Sequence, residues 1–422
     1  MAKGAKQRSI FVYADWMSLG QPTLMGILHS THVRGKEVFS FEYDNSWLKS
    51  QNVFSLDPDL QLYSGPQYLR DEKSNFGLFL DSSPDRWGRV LMDRREAALA
   101  RQEERRPKTF FETDYLLGVF DGHRMGALRF KEKVDEDFLN NNKEMASPPW
   151  TSIRELEQAC LKLEEGDEDD IEKLKWLNLL IAPGSSLGGA RPKASVLDEK
   201  RHLWIAKFPS KKDDHDVGAW EMVVHDLALK AGLNVAESKT GKFYSSKHTF
   251  LTKRFDRTAR GERIHFASAM TLLGYADGSN YEAGVSYLEL AEFIIRHGAQ
   301  VNEDLEELWR RIVFYICVSN TDDHLRNHGF LLTGSGWTLS PAYDINPVDK
   351  ATGLSLNISE KDNSLNLDLA IEVAPYFRVS AKRANEIKDK IVNVVGDWSI
   401  SAEQMGIAKS ERSRMSGAFR RD

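Results

Sequence analysis

A helical apolar stripe that runs straight into an acid-rich loop constrains this chain more than any other feature. Leu305, Leu308, Trp309, Ile312, Val313 and Ile316 recur at helical spacing, so one wide face of that helix must be buried. It delivers the chain to Asn320-Thr321-Asp322-Asp323-His324-Leu325-Arg326-Asn327. Residues 329–332 and 337–339 then read as two short strands around Gly334-Ser335-Gly336, followed by Ser340-Pro341-Ala342-Tyr343-Asp344. Folding that hairpin returns Asp344 to the neighbourhood of Asn327.

An acid, an asparagine five positions on and a second acid after a hairpin form the layout of a phosphoryl-transfer site, with the offset used by protein kinases. In such a site one carboxylate orients the attacking hydroxyl and accepts its proton. An amide oxygen and a second carboxylate hold Mg²⁺ against the phosphates. Taken alone, an acid-x-x-x-x-Asn string is a short pattern that loops meet by chance, because Asp and Asn also cap turns. Asp322 and Asp323 are both acids at the start of this loop. The five-residue offset to Asn327 favours Asp322 over Asp323 as the base without settling whether Asp323 shares the role, and His324 reads as a structural hydrogen-bonding residue.

At 422 residues the chain has room for two or three domains. A net charge of −6 argues against nucleic-acid binding through overall charge. Lys409, Arg412, Arg414, Arg420 and Arg421 cluster near the end and read as a solvated helix terminus. Cys160 and Cys317 stand far apart in helical patterns, which fits a reducing cytoplasm better than a disulfide scaffold. No apolar run approaches a membrane span, and no secretory apolar core follows the basic start.

The predicted fold class is α+β, a two-lobed protein-kinase-like fold preceded by a β-rich domain. Residues 1–130 form the N-terminal domain, with strands near 10–13, 38–43 and 126–130 and a helix over 86–95 opened by Asp81-Ser82-Ser83-Pro84. Residues 131–149 lose apolar periodicity and read as a linker. Residues 150–265 form an N-lobe, where 193–197 pairs with 203–208 and a helix over 218–231 stops at Gly232. Residues 266–422 form a helical C-lobe, with a helix near 380–395 and a last one opened by the capping box Ser401-x-x-Gln404.

The loop from Pro183 to Lys193 is built of small residues, which let backbone amides approach phosphates. It matches neither a Walker A loop nor the glycine pattern of ordinary protein kinases, and a plain turn is the simpler reading of it alone. Lys207 ends an apolar strand, where kinases keep the lysine that contacts phosphates. Glu221 on the next helix is its candidate partner, although a snorkelling surface lysine is the plain alternative. Residues 250–257 read as a strand whose backbone could meet an adenine, with Phe255 in apolar contact.

Together these segments resemble the HipA family, bacterial serine/threonine kinases that are toxins of type II toxin–antitoxin pairs. The resemblance rests on Ser186 to Lys193, Ala206-Lys207-Phe208-Pro209, Arg254-Phe255-Asp256-Arg257, Asn320 to Asn327 and Pro341-Ala342-Tyr343-Asp344. In the N-terminal half, Leu80 to Gly88 and Gly126 to Phe130 agree with it. It implies Asp322 as catalytic aspartate, and Asn327 and Asp344 as Mg²⁺ ligands. ATP would contact Leu187, Gly188, Gly189, Ala190, Lys193, Lys207, Lys253, Phe255 and Asn327. Ser186 falls where the family autophosphorylates, an event that inactivates the enzyme. Asp323 stands where the family often has glycine. The partners implied are a HipB-like helix-turn-helix antitoxin, operator DNA reached through it, and a protein substrate such as an aminoacyl-tRNA synthetase. Two other readings stay open: a kinase-shaped co-repressor module and a small-molecule kinase.

Overall fold

The structure is a computed structural model that describes residues 7–50, 53–69, 73–143, 146–165, 174, 176, 177, 180 and 191–420. Two compact units divide the chain: one holds residues 1–206 with 256–267, the other 207–255 with 268–422.

In the first unit, strands β1 (Gln7–Ala14), β2 (Thr23–Val33), β3 (Lys36–Tyr43), β4 (Gln67–Tyr68) and β5 (Leu128–Lys131) form a sheet in the order β4-β3-β2-β1-β5, every pair antiparallel. Ile10, Val12 and Ala14 alternate into the core, the period-2 pattern of a half-buried strand. The helix α1 (Arg86–Gln102) begins at Arg86, where the sequence reading starts it, and Asp85 is its cap, accepting from Gly88 N at 2.8 Å. Asp256, fully buried, accepts from Gly126 N at 2.8 Å, and Arg257 donates to Arg124 O at 2.8 Å. Two motifs 130 residues apart in sequence are therefore joined by hydrogen bonds. Strands β6 (Lys193–Leu197) and β7 (Leu203–Lys207) follow the sequence expectation, and Lys207 opens the second unit.

In the second unit, α2 (Val217–Ala231) ends at Gly232, whose φ of +89° is the left-handed stop that glycine makes easy. Strands β8 (Ser238–Gly241) and β9 (Thr249–Lys253) pair antiparallel. Helix α3 (Tyr287–His297) precedes the central α4 (Val301–Val318), whose predicted stripe is wholly buried. Each of those large side chains contributes roughly 1.5–3 kcal/mol on burial. The hairpin of β10 (Gly329–Thr333) and β11 (Gly336–Leu339) aligns Phe330 with Leu339 and Thr333 with Gly336, so its turn is one residue tighter than expected.

The C-terminal end departs from expectation twice. Ser401 lies inside α6 (Trp398–Gln404), which follows α5 (Ala381–Gly396) directly, and is not a cap. Stacking of Trp398 on Phe419, at 4.5 Å between ring centres, anchors the helix upstream of the capping-box pattern. Arg420 is not solvated either. Its backbone N donates to Cys317 O at 2.8 Å, and its guanidinium to Ser319 Oγ at 3.2 Å and Ala351 O at 2.9 Å. Both cysteines are free and buried. Among the described residues no helix is long and apolar enough to cross a membrane.

Candidate active site

The site is built where α4 ends. Ser319, fully buried, takes a φ of +50°, a left-handed conformation that costs a non-glycine residue about 1–2 kcal/mol. It is held by its own N–H to Ile316 O at 3.2 Å and by Arg420 on its hydroxyl. This turn breaks the helix sharply and releases Asn320 to Asn327 as an extended loop with one short helical turn, Leu325–Asn327.

The two adjacent acids point to different surroundings. Asp323 is fully buried: it accepts from the Tyr287 hydroxyl and, at 2.8 Å, from Ser355 N. Burial pushes its carboxyl up to about 7. Asp322 remains exposed to solvent. Crowding by protein and then the charge of Asp344 lift its carboxyl above the ordinary range, against the pull of His324 and Lys207. His328 is buried beneath the loop, with Nε2 3.1 Å from Asp323 O and its ring against Tyr287 at 5.5 Å. Burial lowers it to about 3, so it is a neutral strut. His324, read as a hydrogen-bonding residue, accepts from Asn327 N through its carbonyl at 2.7 Å, while its ring Nδ1 is buried without a hydrogen-bond partner.

Lys207 and Glu221 meet. Lys207 Nζ donates to Glu221 Oε1 at 2.5 Å and to Asp344 Oδ1 at 2.6 Å, so one ammonium bridges two carboxylates. Burial works against its charge, but Asp344 and Glu221 outweigh that and raise its pKa. Asp344 itself has a φ of +57°, a conformation that Asp tolerates better than most residues. Its segment is pinned by Ala342, which donates to Asn234 O at 2.7 Å, and by the Tyr343 hydroxyl, which donates to Arg326 O at 2.6 Å.

Asn327 is almost fully buried, and its Nδ2 donates to Asp322 O at 2.7 Å. That bond assigns the amide orientation and leaves Oδ1 buried with no hydrogen-bond partner. A buried unsatisfied oxygen is costly, and a hard divalent cation is one group that would satisfy it. The donor set of one carboxylate and amide oxygen suits Mg²⁺, which takes few protein ligands and completes its shell with phosphates and water. Among the described residues there is no cluster of three His, Cys, Asp or Glu to hold a metal by themselves.

The remaining expected residues have contacts of their own. Lys193, in the first unit, places its ammonium 2.9 Å from Asp85, with both side chains only 3% exposed. That ion pair, rather than an open surface, holds its charge. Lys253 Nζ pairs with Glu237 at 3.0 Å, and Lys253 N donates to Glu237 O at 2.7 Å, so a backbone contact from Lys253 to a base has to use its carbonyl. The Phe255 ring packs 5.4 Å from that of Tyr343. Ser186, Leu187, Gly188, Gly189 and Ala190 lie outside the described residues.

Sequence reasoning passed over Asn346. Its N–H donates to Asn320 Oδ1 at 3.0 Å and its Nδ2 to Asp344 Oδ1 at 3.0 Å. Its signal was present as an amide side chain two positions beyond Asp344. It also passed over Arg311, buried in α4, which donates to Ser340 O at 2.7 Å and ties the helix to the segment leading to Asp344.

This architecture is the protein-kinase-like α+β fold. Residues 185–398 match the family model described as HipA-like C-terminal domain, and the chain belongs to that family. Its fold is similar to that of HipA from Shewanella oneidensis MR-1, solved with HipB and operator DNA, with a TM-score of 0.63 and 17% identity over 97% of this chain and 94% of that one. A putative kinase of Haemophilus influenzae is 27% identical over 179 residues, 38% of this chain and 52% of the relative, so the match spans about half of that protein. The proinflammatory kinase CtkA of Helicobacter pylori aligns with a TM-score of 0.39 and 16% identity, over 55% of this chain and 92% of that one.

Proposed function

We propose that this chain is an ATP- and Mg²⁺-dependent kinase that phosphorylates serine or threonine hydroxyls of a protein substrate. The observation that carries the reading is the convergence of Lys207, Glu221 and Asp344 in one hydrogen-bonded group, beside the loop that presents Asp322 and Asn327.

Each residue has a part that follows from its surroundings. Lys207, held by Glu221, offers a fixed ammonium to the phosphates of ATP. Asp344 and Asn327 Oδ1 would hold Mg²⁺, which when bound neutralises phosphate charge. Asp322, exposed and with an acid strength weaker than a free aspartate, accepts the proton of the attacking hydroxyl. The hydroxyl oxygen bonds to the γ-phosphorus, the bond from that phosphorus to the bridging oxygen breaks, and ADP leaves.

The family and the likeness to a HipA solved with HipB and operator DNA support a toxin role, with a HipB-like helix-turn-helix antitoxin as partner and DNA reached through it. An aminoacyl-tRNA synthetase is the proposed class of substrate, and autophosphorylation at Ser186 the proposed means of self-inactivation. The test is transfer of radiolabelled γ-phosphate from ATP into a bacterial lysate. Labelled protein bands with the wild type, absent with Asp322→Asn and Asp344→Asn, are expected. Undiminished labelling by either variant would overturn the assignment of that residue, and no labelled protein at all would overturn the protein-kinase reading.

A further inference from the structure

Asn346 carries an unexplained buried oxygen at the heart of the site. Three bonds define its setting. Its backbone N–H donates to Asn320 Oδ1 at 3.0 Å, which ties it to the first residue of the catalytic loop. Its Nδ2 donates to Asp344 Oδ1 at 3.0 Å. Asp344 Oδ1 also receives the Lys207 ammonium at 2.6 Å. A carboxylate oxygen can only accept, so the group of Asn346 facing Asp344 must be the NH₂ end. Oδ1 is then the end of the amide not bonded to Asp344, and it is buried with no hydrogen-bond partner.

The same signature occurs at Asn327: Nδ2 anchored, on Asp322 O, and Oδ1 buried and unsatisfied. Native structures rarely leave such an oxygen without a partner, and exceptions call for an ion, a water or a function. Asn357 also leaves its Oδ1 buried and unsatisfied, but Asn327 and Asn346 stand one on each side of the β10–β11 hairpin, each bonded to an aspartate of the site. The Lys207 ammonium bonded to Asp344 is also engaged by Glu221.

We propose that Asn346 Oδ1 is a further ligand of the divalent cation, acting with Asp344 and Asn327. The inference rests on the kinase reading and extends its metal site by a residue that the motif reasoning did not include. The resulting protein donor set holds one formal negative charge for two amide oxygens. So small a charge binds a free hard cation weakly, and the cation is held well only when phosphate oxygens add to the shell. Asn346 would then serve twice: its NH₂ end fixes Asp344, and its oxygen meets the metal.

The experiment measures Mn²⁺ binding to the full chain saturated with a non-hydrolysable ATP analogue, by electron paramagnetic resonance of free Mn²⁺. Asn346→Ala removes both ends of the amide, whereas Asn346→Asp keeps an oxygen, replaces the NH₂ clamp with a second oxygen and adds a negative charge. A ligand role predicts that Asn346→Ala loses roughly ten- to a hundredfold in Mn²⁺ affinity, while Asn346→Asp binds at least as well as wild type. Equal weakening in both variants would reduce Asn346 to a clamp on Asp344, and wild-type affinity in Asn346→Ala would remove it from the site; either result overturns the inference. Should the alanine variant fail to fold, the near-isosteric Asn346→Asp decides alone: retained or raised affinity supports the ligand role, and lowered affinity overturns it. Asp344→Asn separates the two levels of argument. If Asp344→Asn leaves Mn²⁺ binding intact, the metal site of the kinase reading has failed. If it weakens binding and Asn346→Ala does not, only the role of Asn346 has failed.

Discussion

The hydroxyl of Tyr287 donates to the buried carboxylate of Asp323, 36 residues along the chain, and this bond separates the roles of two adjacent acids. With Ser355 N on its other oxygen, Asp323 is held inside the protein while Asp322 faces solvent. Tyr287→Phe deletes one donor to a buried carboxylate, a change worth about 1.5–3 kcal/mol. Chemical denaturation should show that loss. The turnover number of the kinase should fall while the Michaelis constant for ATP holds, because the loop carrying Asp322 is displaced.

The same carboxyl gives a pH signature. In the unfolded chain Asp323 has an ordinary acidity, near 3.8, whereas in the fold burial brings it to about 7. The folded state thus binds more protons between these values, and its stability is present in full below about 4 and declines as pH rises to about 7. Asp323→Asn removes that titration, since its amide can donate to the Tyr287 oxygen and accept from Ser355 N. Relative to wild type, the variant should therefore gain stability steadily from pH 4 to pH 7. A flat difference across that range would contradict this account.

Asp322 titrates in the opposite functional sense. As the proposed base it must be ionised to accept a proton, and its carboxyl lies above the ordinary aspartate range. Phosphoryl transfer should fall as pH drops through that raised value, at a pH higher than a free aspartate would give. In Asp322→Asn transfer should be lost at every pH, with thermal unfolding near that of wild type, because the side chain is exposed.

Lys207 holds two carboxylates together, so its loss exposes their repulsion. Lys207→Met should abolish transfer and cost about 3–5 kcal/mol, the scale of breaking a buried ion pair from one side. Adding Glu221→Gln should recover part of the stability and none of the activity. A double-mutant cycle in calorimetry measures the coupling, and strict additivity would contradict the bridge.

Arg420 reaches back to the turn that breaks α4. Arg420→Ala removes bonds to Ser319 Oγ and Ala351 O that stabilise a left-handed serine, and about 1–3 kcal/mol of stability should go with them. Transfer should decline too, by up to about 100-fold if the catalytic loop shifts by an ångström.

Much of the site was legible in local pattern. The α4 stripe, the hairpin and the Gly232 stop follow from periodicity and glycine chemistry, which act over a few residues. Lys207 with Glu221, and Asp322 with Asn327, were singled out by residue type and offset, and the fold hydrogen-bonds each pair. The pairing of the Lys193 ammonium with Asp85, more than a hundred residues away, is encoded by no local pattern. Ser401 failed as a cap for a similar reason, since the stacking of Trp398 on Phe419 outweighs a capping box.

Sequence alone determined which side chains could carry phosphoryl chemistry, because residue type and spacing limit which groups can act as base, cation and metal ligand. Tertiary structure decided which of two neighbouring aspartates faces solvent, which carboxylate shares the Lys207 ammonium, and which asparagine oxygens are left buried without a partner. Those outcomes depend on burial and on contacts between segments far apart in the chain, where the dielectric environment and the available donors are set by packing.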